Sequence, residues 1–124
     1  MEGEFAQLPT ALASHTSLLI DDKFLVIYGG TNGLRFFDNV IRYDIEKKEW
    51  RLMTKYPPTQ TNSTFFKDGR FALVSASTPE TTDGDQVWIL FGGCSNEKDC
   101  NDFLVLHKSH LLEDSNFSLI NEIL

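Results

Sequence analysis

Side chains that could hold a metal or attack a substrate lie together in one short stretch of the second half of the chain: Cys94, Asp99, Cys100, His107 and His110. Thiolates and imidazoles are the usual ligands of zinc, and a thiolate is also a nucleophile. The cysteine spacing does not match that of usual zinc sites, and the histidines follow a strand that would hold them away from the cysteines. We therefore expect no metal site. We interpret both cysteines as free thiols, because a small oxidised module would use more of them.

Other catalytic signatures are missing from the sequence. It contains no Gly-x-Ser-x-Gly elbow, no glycine-rich phosphate loop before a helix, and no pair of carboxylates marked by its spacing. His15 lies in a segment predicted to be a strand over 14–20, and we expect it to be a buried, hydrogen-bonded structural histidine rather than a catalytic one. The sequence thus predicts a chain without catalysis and without a cofactor.

The composition is that of a globular domain, with 41% hydrophobic and 12% aromatic residues. The net charge is −7, with seven basic and eight acidic side chains in residues 1–62, and four and ten in residues 63–124. An acidic chain without a basic stripe is unsuited to nucleic acid, whose binding depends on phosphate neutralisation. No apolar run approaches the roughly 20 residues of a membrane span, and the N-terminus lacks signal-peptide features. We expect a soluble, cytoplasmic protein with neither nucleic acid nor membrane as a partner.

Three strand patterns surround the first pair of adjacent glycines. An apolar segment ends at Gly29 and Gly30, where the absence of a Cβ allows positive φ and close approach of a neighbour. An alternating segment over 39–44 follows and carries Tyr43. After a polar turn comes a third segment, in which Trp50 begins a period-two pattern. This order predicts short antiparallel strands joined by turns.

The pattern recurs 63 positions further along the chain. Gly92 and Gly93 repeat the glycine pair after another apolar segment. Leu106 stands in the place of the tyrosine, and Phe117 stands in the place of the tryptophan after a turn that is four residues longer. The chain therefore contains two copies of one unit.

This arrangement resembles the kelch repeat. The signature of that family is an apolar strand ending in Gly-Gly, then a strand with a Tyr, then a Trp after six intervening residues. Gly29, Gly30, Tyr43 and Trp50 satisfy all of it, whereas the second copy keeps only the glycine pair. The resemblance extends over most of the chain, from Phe5 to Leu124.

The resemblance implies an all-β fold of kelch-type β-propeller blades, each with four antiparallel strands. Within residues 1–124 we expect a remnant outer strand over 5–9, a first blade over 14–53 and a second blade over 70–121. Two blades and a remnant form an incomplete propeller, because such rings hold about 4 to 8 blades. Further blades of a longer chain would complete the ring, or several copies would associate to do so.

Between the two predicted blades the strand assignment has two alternatives. Asp68 and Gly69 lie between apolar segments and would suit a hairpin turn. Similarity to the opening of kelch repeats instead favours an innermost strand over 73–77, which we adopt. No helical periodicity persists in the sequence, and residues 107–114 are expected to widen a turn before the last outer strand.

The loop between the second and third strands carries the residue types that are enriched in protein interfaces: Asn32, Arg35, Phe36 and Phe37. An arginine offers charge-assisted hydrogen bonds, and the phenylalanines offer apolar anchors. In kelch adaptors this rim of the propeller carries the partner site. If the apolar side chains of the loop instead fold back on the neighbouring blade, only Asn32 and Arg35 remain as contacts.

These observations favour a non-catalytic interaction module that presents kelch loops to a protein or peptide. Two alternatives stay open. The first is a fragment of a kelch-propeller enzyme that acts on a carbohydrate, which requires titratable groups converging at the propeller axis. The second is a structural piece that completes a propeller with other chains, including copies of itself.

Overall fold

Two antiparallel sheets make up the computed structural model, which describes residues 7–57, 65, 69–95 and 98–120. The first sheet has the strand order β1-β2-β3-β4-β8 and the second has the order β5-β6-β7. Within the described residues the strands are β1 (Thr16–Ile20), β2 (Phe24–Tyr28), β3 (Val40–Asp44), β4 (Glu49–Met53), β5 (Val74–Ser77), β6 (Val87–Phe91), β7 (Phe103–His107) and β8 (Phe117–Leu119). The predicted all-β fold with antiparallel blade-like sheets is confirmed.

Strands β1 to β4 form a continuous up-and-down meander at the place predicted for the first blade. The turn between β1 and β2 contains Asp21 and Asp22, both with positive φ (53° and 56°). Two consecutive positive φ angles define the type I′ geometry that suits the twist of a tight hairpin, and Asp tolerates them. Local turn chemistry therefore sets the register of the meander.

The last strand does not lie where the sequence predicted it. The second sheet has three strands in the described part of the chain, and β8 pairs with β4 of the first sheet instead of with β7. A short helix, α1 (Lys108–Leu112), and a 3-10 turn follow β7 and lead the chain back over the first sheet. The expectations of a helix-free turn here and of a fourth strand on the second blade are both wrong.

Buried side chains of the first sheet hold this returning segment in place. The guanidinium of Arg42 on β3 donates to the Leu111 carbonyl at 2.9 Å and to the Asp114 carboxylate. It also lies 4.4 Å from the centre of the Phe117 ring, at the start of β8. Because Arg42 is fully buried, its charge requires these partners, and satisfying them draws the end of the chain onto the first sheet.

Some predicted segments lie partly or wholly outside the described residues. Residues 5 and 6 of the predicted remnant strand lie outside them, and the described part of that segment belongs to no strand. Its Gln7 carbonyl nevertheless accepts a hydrogen bond of 2.9 Å from the indole of Trp50. The end of the second blade at position 121 and the alternative hairpin at Asp68 also fall outside the described residues. Strand β5 agrees with the innermost strand predicted over 73–77.

The core lies between the two sheets. Alternate residues of each strand point into it, as the period of two in an extended chain requires. The fully buried aromatic and aliphatic side chains at its centre come from both sheets: Ile20, Val26, Tyr28, Val40, Met53, Trp88, Leu90, Leu104 and Leu106. Burial of this shared apolar face joins the two sheets into one body.

The first glycine pair lies at the closest approach of the two sheets. The Gly30 backbone N–H donates to the Arg70 carbonyl at 2.7 Å, and a Cβ on Gly29 would lie 2.6 Å from the same oxygen. Gly92 takes the same place in the second copy with almost the same φ, 71° against 75°, but its nearest contact would be 3.9 Å away. The two glycines thus share one backbone conformation and differ in crowding.

We expect Gly29→Ala to destabilise the protein more than Gly92→Ala. Both variants carry the cost of positive φ, about 1–2 kcal/mol, but only Gly29→Ala forces a side chain against a backbone carbonyl, for about 1–3 kcal/mol more. Urea titrations of dilute protein give both free energies of unfolding. Equal losses in the two variants would contradict the close sheet contact.

Helix α1 is tied to both sheets by ion pairs. The buried Lys108 ammonium donates to Asp21 at 2.7 Å and to Glu80 at 3.1 Å, which belong to loops of different sheets. At the end of the helix, the hydrogen bond from Arg42 lowers the pKa of Asp114, with the charge of the same guanidinium adding to the effect. The returning segment is therefore sensitive to pH.

The contribution of Asp114 to stability should disappear in acid. Because its folded-state pKa lies below the ordinary value of 3.8, its contribution is complete above about pH 5 and is lost as the pH falls through the folded-state pKa. We expect wild type to be more stable than Asp114→Asn at pH 6 and the difference to shrink by pH 2. Denaturant titrations across this range measure it, and an undiminished difference at pH 2 would contradict the ion pair.

Candidate functional site

Residues Thr31–Phe37, between β2 and β3, form the candidate binding loop, which we call the rim loop. Its ends are closed by an isolated bridge between Thr31 and Phe36 and by a 2.9 Å bond from the Phe37 N–H to the Gly30 carbonyl. Inside it, Asn32 Oδ1 accepts from the backbone N–H groups of Leu34 at 2.9 Å and Arg35 at 3.0 Å. The backbone is thus held by its own side chains, as in Asx turns.

A threonine hydroxyl completes this internal network. Thr31 Oγ1 accepts from the Gly33 N–H at 3.0 Å and donates to the Arg35 carbonyl at 2.8 Å. Gly33 has φ of +90° and no atom within 4 Å of a would-be Cβ, so the crest of the loop faces open space. The rim loop is a set of nested turns with an uncovered tip.

The four predicted binding residues divide into two pairs. Phe37 is buried, and Phe36 is half-buried and stacks on Phe71 with ring centres 4.6 Å apart. Asn32 and Arg35 are exposed. The phenylalanines turn inward, one toward the first sheet and one across to the lead-in of the second, which leaves only the polar pair of the predicted set on the surface.

The loop also presents a residue that the sequence did not single out. Leu34 is 93% exposed, the highest exposure among the large exposed hydrophobic side chains of the described residues. It lies directly after the Asn-Gly pair, a dipeptide that marks turns and therefore exposed loop tips. That signal could have identified Leu34 before Phe36 and Phe37.

The Arg35 guanidinium lies over the ring of Phe37. Its central carbon is 4.5 Å from the centre of the Phe37 ring, within the range of a cation–π contact. Among the ion pairs found in the described residues, none involves Arg35. The ring below fixes the position of the cation and leaves its donor edges available to a partner.

The side chains that could have held a metal are kept apart. The Cys94 thiol donates to Asp99 at 3.2 Å, which raises the pKa of that thiol and makes the nucleophilic thiolate less abundant. His107 faces Asp85 at 3.7 Å, while His110 bonds to the Lys55 carbonyl at 2.8 Å. Both cysteines are free thiols in the structure. Within the described ranges, no three such groups converge on a point where an ion could lie.

The exposure of His15 and the lengths of the helices can be compared with the predictions from the sequence. His15 is exposed, so the prediction of a buried structural histidine is wrong. It directly precedes β1, and its Cβ lies beside Gly30 rather than in the core. None of the described helices has the length and apolar character needed to cross a bilayer.

Replacing Phe37 and Leu34 separately by alanine should distinguish support from contact surface. Phe37→Ala removes a buried ring under Arg35 and should cost about 3–5 kcal/mol of stability. Leu34→Ala, three positions earlier in the same loop, should stay within about 0.5 kcal/mol. Thermal and urea unfolding of both variants measure the difference. A large loss in Leu34→Ala would mean that this side chain packs on the fold.

Comparison with known proteins agrees with this geometry. Residues 11–55 match the family model of the Kelch motif, and no curated protein matches the chain. Within the match, Tyr43 and Trp50 are direct cross-strand partners with ring centres 4.8 Å apart. Kelch motifs are in general protein-interaction modules and are typically not catalytic. Residues 11–55 of the chain therefore carry a Kelch motif.

Proposed function

We propose that the chain is a non-catalytic interaction module that binds a protein or peptide through the rim loop. The observation that carries the proposal is the fully exposed Leu34 beside Arg35, on a backbone fixed by internal hydrogen bonds. When a partner covers an apolar side chain of this size, its surface is removed from water, and this burial contributes favourably to the free energy of binding. Contact by Leu34 and Arg35 is therefore the role that we assign to the loop.

The internal bonds of the loop favour tight binding. A flexible loop loses conformational entropy when a partner orders it, which reduces the affinity. Here Asn32 and Thr31 already hold the backbone, and the Phe37 ring already positions the guanidinium. The partner then has to order only the outer atoms of the Leu34 and Arg35 side chains.

The charges indicate the chemistry of the partner. Arg35 is a cation on a chain with a net charge of −7, so a strongly acidic partner would be repelled by most of the surface. A single carboxylate next to an apolar side chain, within an otherwise neutral or basic segment, satisfies both Arg35 and Leu34. A bidentate carboxylate is the acceptor that best matches the planar guanidinium.

A library of displayed peptides selected on immobilised wild-type protein tests this assignment. We expect selected peptides to share an Asp, Glu or C-terminal carboxylate near a large apolar residue. Arg35→Ala should weaken their binding by about 1–3 kcal/mol, because a charge-assisted hydrogen bond is lost, while leaving the melting temperature nearly unchanged. Isothermal titration calorimetry measures the first effect and thermal unfolding the second.

Lys47→Ala is the matched control for this experiment. Lys47 is an exposed cation in the turn between β3 and β4, at the opposite end of these strands from the rim loop. Removing it changes the net charge by the same amount and should leave peptide binding unchanged. Equal weakening in both variants would show a general charge effect, and undiminished binding to Arg35→Ala would refute the assignment of the rim loop.

A further inference from the structure

The outward face of the second sheet is apolar. Val74, Phe91 and Phe103 stand in register across its three strands, and all three are exposed, Phe103 by 64%. Ile89 and Val105 form the next row on the same face, since residues two apart share a side of a strand. We call these five residues the open face. Rows of large apolar side chains in a sheet normally lie against another layer.

The first sheet shows what covers such a face. The repeat of 63 positions places Phe91 at the position of Tyr28, and Phe103 at that of Val40. Tyr28 and Val40 are completely buried, because the second sheet lies on them. The open face is therefore the repeat-related copy of a surface that is covered within the chain.

The backbone contacts of the two glycine pairs agree with this equivalence. The Gly30 N–H donates to the Arg70 carbonyl, in the segment that leads into β5. In the part of the chain that the structure describes, no backbone carbonyl accepts from the equivalent N–H of Gly93, and the space beside Gly92 is open to 3.9 Å. A further strand lead-in would fit at this point with the same backbone contact.

The first sheet also has a face equivalent to the face with which the second sheet covers it. The second sheet covers the first with Trp88 and Leu106, whose repeat equivalents on the first sheet are Leu25 and Tyr43. These two stand in one row with Leu19, which is 50% exposed. We call Leu19, Leu25 and Tyr43 the covering face.

The matching lead-in is present as well. The bridge between Ala13 and Thr31 in the first sheet corresponds to that between Phe71 and Cys94 in the second. Leu12 therefore precedes β1 in the way that Arg70 precedes β5. A chain that presents the covering face also presents a backbone segment able to reach Gly93.

We propose that a second copy of this chain docks on the open face through its covering face, head to tail. The contact continues the sheet-on-sheet packing seen between the two halves of one molecule, and it leaves a new open face at one end. It uses neither Leu34 nor Arg35, so it goes beyond the binding role of the rim loop. Because different surfaces meet, the association is heterologous and can add further copies.

Sedimentation equilibrium over a wide concentration range tests the contact. Wild type should increase in mass with concentration, whereas Phe103→Lys on the open face and Leu19→Lys on the covering face should each remain monomeric. Both substitutions reduce the net negative charge, so a loss of association cannot come from increased repulsion. Leu34→Lys is the matched control, because it adds the same charge at an exposed leucine outside both faces, and it should associate like wild type.

Mixing the two variants identifies the geometry. Phe103→Lys keeps an intact covering face and Leu19→Lys keeps an intact open face, so an equimolar mixture should form a dimer that grows no further. A symmetric contact between two open faces would instead leave Leu19→Lys associating like wild type, which would overturn the proposal. A wild type that stays monomeric at about millimolar concentration would overturn it too.

Circular dichroism establishes that each variant retains its sheets before its mass is interpreted. If a lysine variant unfolds, Gly92→Ala provides a second test, because it adds a methyl group where the incoming lead-in would pass and changes no charge. It should lower the association constant at least tenfold relative to wild type. Unchanged association of folded Gly92→Ala would overturn the head-to-tail contact.

Discussion

The fold depends on the close packing of the second sheet against the first at the Gly29–Gly30 pair. There the Arg70 carbonyl comes close enough to bond the Gly30 N–H at 2.7 Å, which only residues without a Cβ permit. This approach brings Trp88 and Leu90 over Tyr28 and Val26 in one core. Burial of this shared apolar face removes it from water and stabilises both halves.

Patterns with a local cause could be predicted from the sequence. The glycine pair and the alternating strands each depend on neighbouring residues, and the segments predicted over 39–44 and 73–77 agree with β3 and β5. The position of β8 could not be predicted in this way. It depends on the buried charge of Arg42, whose partners at Leu111 and Asp114 lie far along the chain and carry no short-range signal.

The candidate site was predictable only in part, for a similar reason. Residue types identified the rim loop and its exposed Arg35, but whether Phe36 and Phe37 face water or the core is decided by Phe71 and by the packing of the first sheet. Leu34 is exposed because the turns around Asn32 and Gly33 direct it outward. The same loop thus separates into supporting rings and a contact tip once the tertiary contacts are known.

Amide hydrogen exchange in dilute protein tests the close packing of the two sheets most directly. Gly30 and Gly93 occupy equivalent places in the two copies, but only the Gly30 N–H donates across the sheets to Arg70 in the described structure. We expect the Gly30 amide to exchange only on global unfolding, and the Gly93 amide to exchange much faster, through openings of the native state. Exchange of Gly30 as fast as that of Gly93 would contradict this close packing.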